Sequence, residues 1–247
     1  MRNAGDFYLM THTNPNPPNQ RLRFLARESY MREYAASAMG SIFSDAAAFD
    51  AFYVALCDEQ KDDFLRVASS YLFLVKKGDW HVTVEDSNPV IDYFTNSFKL
   101  VSLFSLIESL SSEKHQDFYE WLGHMGGDIY PISDKAVLKR HHDNYKTTFG
   151  SIRRCVAFFE RLSSAQQADL CNSIQIDGAP VKSIKDVAQF LYNLRSKFVH
   201  EGKFVLDIAS VPVMSRHKDL NALTALSMPK LLEAFEEGVV AYFTHAV

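Results

Sequence analysis

The stretch SIKDVAQFLYNLRSKFVHEG, residues 183–202, decides the fold class because it carries every signal of a complete helix. Ser183 is a helix-capping residue, and Asp186 follows three positions later as an acidic variant of the capping box. Apolar residues then recur at spacings of 3, 4, 3 and 4, which places them on one side of a helix. The members of this seam are Ile184, Val187, Leu191, Leu194 and Phe198. Gly202 is a typical stop, so the stretch predicts a helix with one face on a core.

Similar start and stop signals recur along the rest of the chain. In the first part of the chain they predict helices from Gln20 to about Met39, after the Ser44-Asp45 cap, and over about 59–76 with a stop at Gly78. Further along, they predict helices after Asn88-Pro89, over about 113–125 behind Ser112, after Ser133 and over about 144–162. Two more helices are predicted after Ser164 and from Pro229 onward. Extended structure is predicted at Trp80–Glu85 and Phe204–Met214, with a small hairpin around Asp177–Pro180. We therefore expect an all-α, multi-helix bundle with at most a few short strands.

Composition agrees with one substantial helical body. The chain has 247 residues, 47% of them apolar, and only 10 Gly and 8 Pro, too few turn residues for a many-stranded sandwich. Residues 1–19 are polar and interrupted by prolines, so we interpret them as a tail. The net charge of −4 argues against a protein with a basic surface throughout, although a local basic site is compatible with it.

Cysteine usage and apolar patterning predict the compartment. The three cysteines, Cys57, Cys155 and Cys171, lie far apart without a CxxC pair, so neither a zinc cluster nor a disulfide framework is indicated. The first 20 residues lack a basic region followed by an apolar one, and no run of 18 apolar residues occurs. We expect a cytoplasmic protein that makes no contact with a membrane.

Arg195 and His200 are the residues of this helix that are suited to phosphate chemistry. Arginine offers a forked, permanently charged donor to phosphate oxygens, and histidine exchanges a proton near neutral pH, so no metal is required. On an ideal helix, five residues turn through about 140° and rise about 7.5 Å, so the two side chains do not share a face. They can serve one site if the helix loosens near Gly202, if the arginine swings across, or if a second subunit completes the site. The plain alternative is a surface arginine and a histidine of the last helical turn that interacts with free carbonyls.

The segment Leu191–Gly202 resembles the Arg-x4-6-His signature of the HEPN superfamily, most closely its Apea-like and abortive-infection branches. A second similarity is FKLVSLFSLIESL, residues 98–110, which resembles the early central helix of that family. The resemblance covers about residues 88–247. We therefore expect a HEPN-like helical domain at 87–247, preceded by an N-terminal tail and helical region at 1–86.

The resemblance implies a homodimer in which two motif helices meet in a cleft that cleaves RNA without metal or cofactor, in host defence or beside an antitoxin or other partner protein. Arg195 and His200 match the catalytic pair, and Ser196 matches the polar position after the arginine. Glu108, which lies within an apolar run, is a candidate for orienting the cleft; its alternative interpretation is a paired or partly exposed helix residue. Two departures bear on activity, since Glu201 separates His200 from the glycine and serine replaces the more usual asparagine. The alternative function is a HEPN-type module that binds RNA or a partner without cutting.

Four cations are candidate RNA-binding residues, Lys139, Arg140, Lys197 and Lys203. The first two belong to a basic stretch, 135–154, whose alternative interpretation is a solvated helix face. His141 and His142 lack the spacing that places two metal ligands on one helical face, so we predict no metal site there. We interpret Phe118, Tyr119 and Trp121 as packing residues rather than as a platform for bases.

Overall fold

The fold is taken from a computed structural model that describes residues 22–79, 90–110, 117–124, 134–217 and 220–244. These residues are mostly helical, with a small antiparallel sheet of four short strands. The α-helices are α1 (Glu28–Met39), α2 (Ala46–Ala55), α3 (Asp58–Tyr71), α4 (Val90–Ser109), α5 (Phe118–His124), α6 (Lys135–Phe149), α7 (Ser151–Phe159), α8 (Ser164–Asn172), α9 (Ile184–Glu201) and α10 (Met228–Thr244). The strands are β1 (Ile174–Ile176), β2 (Ala179–Pro180), β3 (Val213–His217) and β4 (Leu220–Thr224).

Side-chain caps begin several of these helices, as the sequence predicts. The Asp45 carboxylate accepts a hydrogen bond from the Ala48 amide at 2.8 Å and begins α2. Ser183 does the same for α9, where its hydroxyl oxygen accepts from the Asp186 amide at 3.3 Å. The cap of α6 is Asp134 rather than Ser133, which lies outside the described residues.

The helix expected over 59–76 is present, as α3 followed without a break by a π-helical turn, Leu72–Lys76. One predicted helix boundary is wrong. The helix expected over 144–162 is divided at Gly150, where the backbone becomes extended between α6 and α7. A Cβ at residue 150 would lie 2.4 Å from the Lys146 carbonyl oxygen, so glycine permits a turn that a longer side chain would obstruct. The short helix expected after Ser164 is present as α8, with Ser163 as its cap.

Helix α9 lies within the helical core. Helices α4, α7 and α9 pack on one another, α8 packs on α9, and α10 packs on α7 and α1. The predicted seam of α9 is confirmed at Ile184, Val187, Leu191 and Leu194, which are buried, while Phe198 is half-buried. Burial of such side chains, at about 25 cal/mol for each Å² removed from water, is the main force that fixes this helix in place.

The sheet has the strand order β2-β1-β4-β3, and every pairing is antiparallel. The predicted hairpin is present. Asp177 and Gly178 have φ values of 50° and 82°, the left-handed conformations of a type I′ turn. The extended structure predicted for Phe204–Met214 is correct only at its end, because β3 begins at Val213.

Several predictions fall outside the described residues: the tail at 1–19, the strand at Trp80–Glu85, the start signals at Asn88-Pro89 and Ser112, and the domain boundary between residues 86 and 87. Within the described part, buried side chains of α1–α4 and α7–α10 form one continuous hydrophobic cluster, to which α5 and α6 contribute no residue. None of the helices described is both long enough and apolar enough to cross a bilayer.

Candidate active site

Helix α9 carries Arg195 toward the interior. The side chain of Arg195 is 17% exposed, and its Nη2 lies 3.9 Å from Oε1 of Glu108 on α4. Its guanidinium also lies over the ring of Tyr192, 5.6 Å from the ring centroid. Among the described residues, neither Arg195 Nε nor Glu108 Oε1 has a hydrogen-bond partner, although both atoms are buried. The structure thus brings together two of the predicted site residues, Arg195 and Glu108, as an ion pair between helices.

A third helix contributes to the same junction. Cys155 of α7 is fully buried, and the pKa of its thiol is raised to about 12, mainly by this burial. The carboxylate of Glu108 contributes to the rise, while the guanidinium groups of Arg195 and Arg154 oppose it. The thiol therefore senses all three charges, which share a part of the protein interior where electrostatic interactions are weakly screened.

His200 lies elsewhere on the same helix. Its side chain is exposed, one residue before the last helical position, Glu201. Gly202 ends the helix with φ 66°, and the amides of Gly202 and Lys203 donate to the carbonyls of Phe198 and Lys197 at 3.1 and 3.4 Å. The helix therefore keeps its regular form up to Glu201 and does not loosen beforehand. Within one chain, Arg195 and His200 are not brought together.

The surroundings of His200 are charged. Lys203 Nζ lies 2.6 Å from Oε2 of Glu201. This hydrogen bond, and the attraction of the lysine charge, lower the pKa of Glu201, and Lys197 and His200 act in the same direction. Lys203 is thus engaged with Glu201, while Lys197 is half-buried. Ser196, the polar residue after the arginine, is also half-buried.

The other two predicted RNA-binding residues belong to a different surface. Lys139 and Arg140 are exposed on α6, which packs on α5 and α7, whereas α9 packs on α4, α7 and α8. On the same helix His141 is buried beside Trp121 and His142 is exposed, so adjacent histidines point to different environments.

One predicted role needs correction. Tyr119, interpreted from sequence as a packing residue, is 76% exposed. Phe118 and Trp121 are packed as expected, because their rings stack on each other with centroids 6.2 Å apart. The sequence signal that could have separated these residues is helical spacing. Phe118 and Trp121 are three positions apart and share a face of the helix, whereas Tyr119, the residue directly after Phe118, projects from a different side of the helix.

Comparison of this chain with protein-family models, with curated proteins and with solved structures gives no match. Assignment of a function therefore rests on the motif and on the geometry of α9.

Proposed function

We propose that this protein is a HEPN-like, metal-independent endoribonuclease that works as a homodimer. The observation that carries the proposal is the exposed imidazole of His200 at the end of α9, one and a half turns after an arginine that is held in position by Glu108. Partial negative charge at the C-terminal end of a helix favours the imidazolium form, which can donate a proton to a leaving group.

A second copy of the chain completes the site, because one copy does not bring Arg195 and His200 together. Arg195 and His200 of one chain lie on different sides of α9, so a phosphodiester held between two copies contacts an arginine and a histidine that come from different chains. Dimerisation through α9 also places the half-exposed Val199, at 47%, against a partner instead of water. The proposed partners are therefore RNA, a second copy and, by resemblance, an antitoxin or other protein of a defence system.

The proposed reaction is cleavage by internal attack. A base takes the proton of a ribose 2′-hydroxyl, the 2′-oxygen forms a bond to the adjacent phosphorus, and the 5′-oxygen leaves with a proton from an acid. His200 acts in proton transfer, and Arg195 stabilises the additional negative charge of the five-coordinate phosphorus through paired N–H donors. The products are a 2′,3′-cyclic phosphate and a 5′-hydroxyl. We place this activity in the cytoplasm, where separate thiols such as Cys57 and Cys171 stay reduced.

A second candidate function is a non-catalytic module that binds RNA or a partner protein. The observation in its favour is that the guanidinium of Arg195 already contacts Glu108 and the ring of Tyr192. In this function the ion pair is a structural link between α4 and α9.

The test is incubation of purified protein with mixed RNA in EDTA. The wild type is compared with His200→Ala and with Glu233→Ala, a control that changes an exposed side chain of α10, outside the motif helix. We expect the wild type and the control to leave cyclic phosphate ends and His200→Ala to lose cleavage, by at least about a hundredfold for a lost proton-transfer group. Equal cleavage by all three proteins would refute the assignment, and no cleavage by any of them would favour the module.

A further inference from the structure

Helices α5 and α6 together present a cluster of aromatic rings. Phe118 and Trp121 of α5 are stacked with an interplanar angle of 23°. Tyr145 of α6 meets both rings edge-on, with centroid distances of 5.2 Å to Phe118 and 5.7 Å to Trp121. The three rings thus pack on one another and support the neighbouring residue, Tyr119.

Tyr119 projects from this support into solvent. Its ring lies 5.6 Å from that of Phe118, yet 76% of the residue is exposed. An aromatic ring buries a large apolar area when it packs, so a tyrosine left in water beside packed rings forgoes that gain. Both of its ring faces are suited to stacking on a planar group such as a nucleobase.

A row of cations runs along α6 beside the rings. Lys135, Lys139, His142 and Lys146 are separated by 4, 3 and 4 residues, which places them on one side of the helix over about 16.5 Å. All four side chains are exposed. His142 meets Phe118 edge-on at 5.7 Å, so the row borders the aromatic cluster. Of the ion pairs formed among the described residues, none involves the three lysines.

We propose that this α5–α6 surface, defined by Tyr119, Lys135, Lys139, His142 and Lys146, is a binding site for single-stranded RNA. The lysines contact successive phosphates and Tyr119 stacks on an unpaired base. Bases in a duplex are already stacked on their neighbours, so the aromatic part of the surface selects single strands. The choice of RNA as the polymer rests on the proposed function, whereas the binding itself does not require cleavage at His200.

The aromatic component argues against an acidic protein as the ligand. A carboxylate-rich peptide would satisfy the lysine row but offers no planar group for Tyr119, and the chain as a whole is acidic, with a net charge of −4. A local cationic row in an acidic protein is the arrangement expected where a polyanion binds at one place only.

The first test measures binding without cleavage. His200→Ala protein in EDTA is titrated into a labelled oligouridine of about 12 nucleotides, within the usual site size, and fluorescence anisotropy is followed over a range of salt concentrations. The triple change Lys135→Ala, Lys139→Ala and Lys146→Ala should reduce the slope of log affinity against log salt by about 2, since each phosphate contact to a single strand contributes about 0.7. The matched control removes three exposed lysines elsewhere, Lys77, Lys182 and Lys185. An equal loss in both triple variants would overturn the proposal.

The second test separates stacking from charge. Tyr119→Ala should weaken binding of the oligouridine about tenfold, whereas Tyr119→Phe, which keeps the ring, should bind as the parent does. Tyr30→Ala, at a tyrosine on α1 that is 41% exposed, is the control for loss of an exposed ring. Duplex RNA and heparin serve as competitors. If duplex RNA or heparin competes as well as single-stranded RNA does, or if Tyr119→Ala binds the oligouridine with unchanged affinity, the surface binds polyanions in general and the proposed site is refuted.

The two proposals fail in different ways. Cleavage that depends on His200, with affinities unaffected by the α5–α6 variants, refutes this site and leaves the proposed function standing. Binding that depends on Tyr119 and the lysine row, without cleavage by any protein, refutes the nuclease and leaves this site standing.

Discussion

Glu108 and Arg195 show how one pair of residues sets the environment of its neighbours. The two charges lie 3.9 Å apart with 25% and 17% of their side chains exposed, so solvent screens them only in part. Removal of one partner would leave the other partly desolvated, which is more costly than loss of a surface ion pair. Because Glu108 also raises the pKa of the Cys155 thiol, this pKa depends on the charges where α4, α7 and α9 meet.

Cys155 makes the unfolding free energy dependent on alkaline pH. Its pKa is raised from 9.0 to about 12 in the folded protein, so the stability linked to the neutral thiol is fully present below pH 9 and is lost between pH 9 and 12. Above pH 9 the unfolding free energy of the wild type should fall more steeply than that of Cys155→Ala, by up to about 1.4 kcal/mol per pH unit. Urea unfolding at pH 8, 9, 10 and 11 measures this difference.

Comparison with the variant isolates the thiol from other groups. Burial also raises the pKa of the Tyr53 and Tyr71 hydroxyls, but both proteins contain these tyrosines, so their effects cancel. The cavity left by alanine lowers the stability at every pH by the same amount and does not change the slope. Cys57→Ala, at an exposed thiol, is the control. Parallel curves for the wild type and Cys155→Ala would contradict the prediction.

At the scale of the element, different residues determine where α9 begins, where it ends and which of its faces is buried. The Ser183 hydroxyl begins the helix, the buried seam orients it, and Gly202 ends it in a left-handed conformation. The glycine matters to the candidate site because it keeps the helix regular as far as Glu201 and so fixes the position of His200. A Cβ at residue 202 would meet no atom within 4 Å, so the cost of an alanine there is conformational rather than steric.

Gly202→Ala should therefore lower the unfolding free energy by about 1 kcal/mol, since residues with a Cβ disfavour the left-handed region. Gly202→Asn should lower it less, because asparagine tolerates that region better. Gly40→Ala is the matched control, as Gly40 also has open space around a Cβ but a right-handed φ of −60°. Chemical denaturation measures all three, and equal effects at residues 40 and 202 would refute the conformational explanation.

Helix existence could be predicted from the sequence, because caps and apolar spacing are local signals. Asp45, Ser183 and the seam of α9 are examples, and the hairpin at Asp177–Gly178 is another. The break at Gly150 could not be predicted from the sequence, because a lone glycine in an otherwise helical pattern is compatible with a continuous helix. For the candidate site, spacing predicted that Arg195 and His200 diverge, but the contact between Arg195 and Glu108 joins residues 87 positions apart and depends on how α4 packs on α9.

At the scale of the whole molecule, Glu236 of α10 connects the C-terminal helix to the N-terminal helices. It is 4% exposed, accepts hydrogen bonds from the hydroxyls of Ser41 and Tyr71, and lies 2.9 Å from Lys76 Nζ. Nearby, Tyr71 and Phe235 have ring centroids 4.8 Å apart. The carboxylate is thus a polar centre inside the apolar contact between these parts of the chain, and the π-helical turn presents Lys76 to it.

This arrangement predicts that the N-terminal and C-terminal helices unfold together. Glu236→Ala should lower the unfolding free energy by about 3 kcal/mol, because it leaves the Tyr71 hydroxyl without its acceptor and the Lys76 ammonium with only the Ala38 carbonyl, at 2.6 Å, as a partner. Glu233→Ala, on the same helix but not buried, is the matched control and should change stability by less than about 0.5 kcal/mol. Unfolding in urea should remain one transition by circular dichroism and by tryptophan fluorescence, with the midpoint of Glu236→Ala moved to lower urea in both. Two separate transitions, of which only one responds to Glu236→Ala, would show instead that residues 1–86 and 87–247 fold as independent domains.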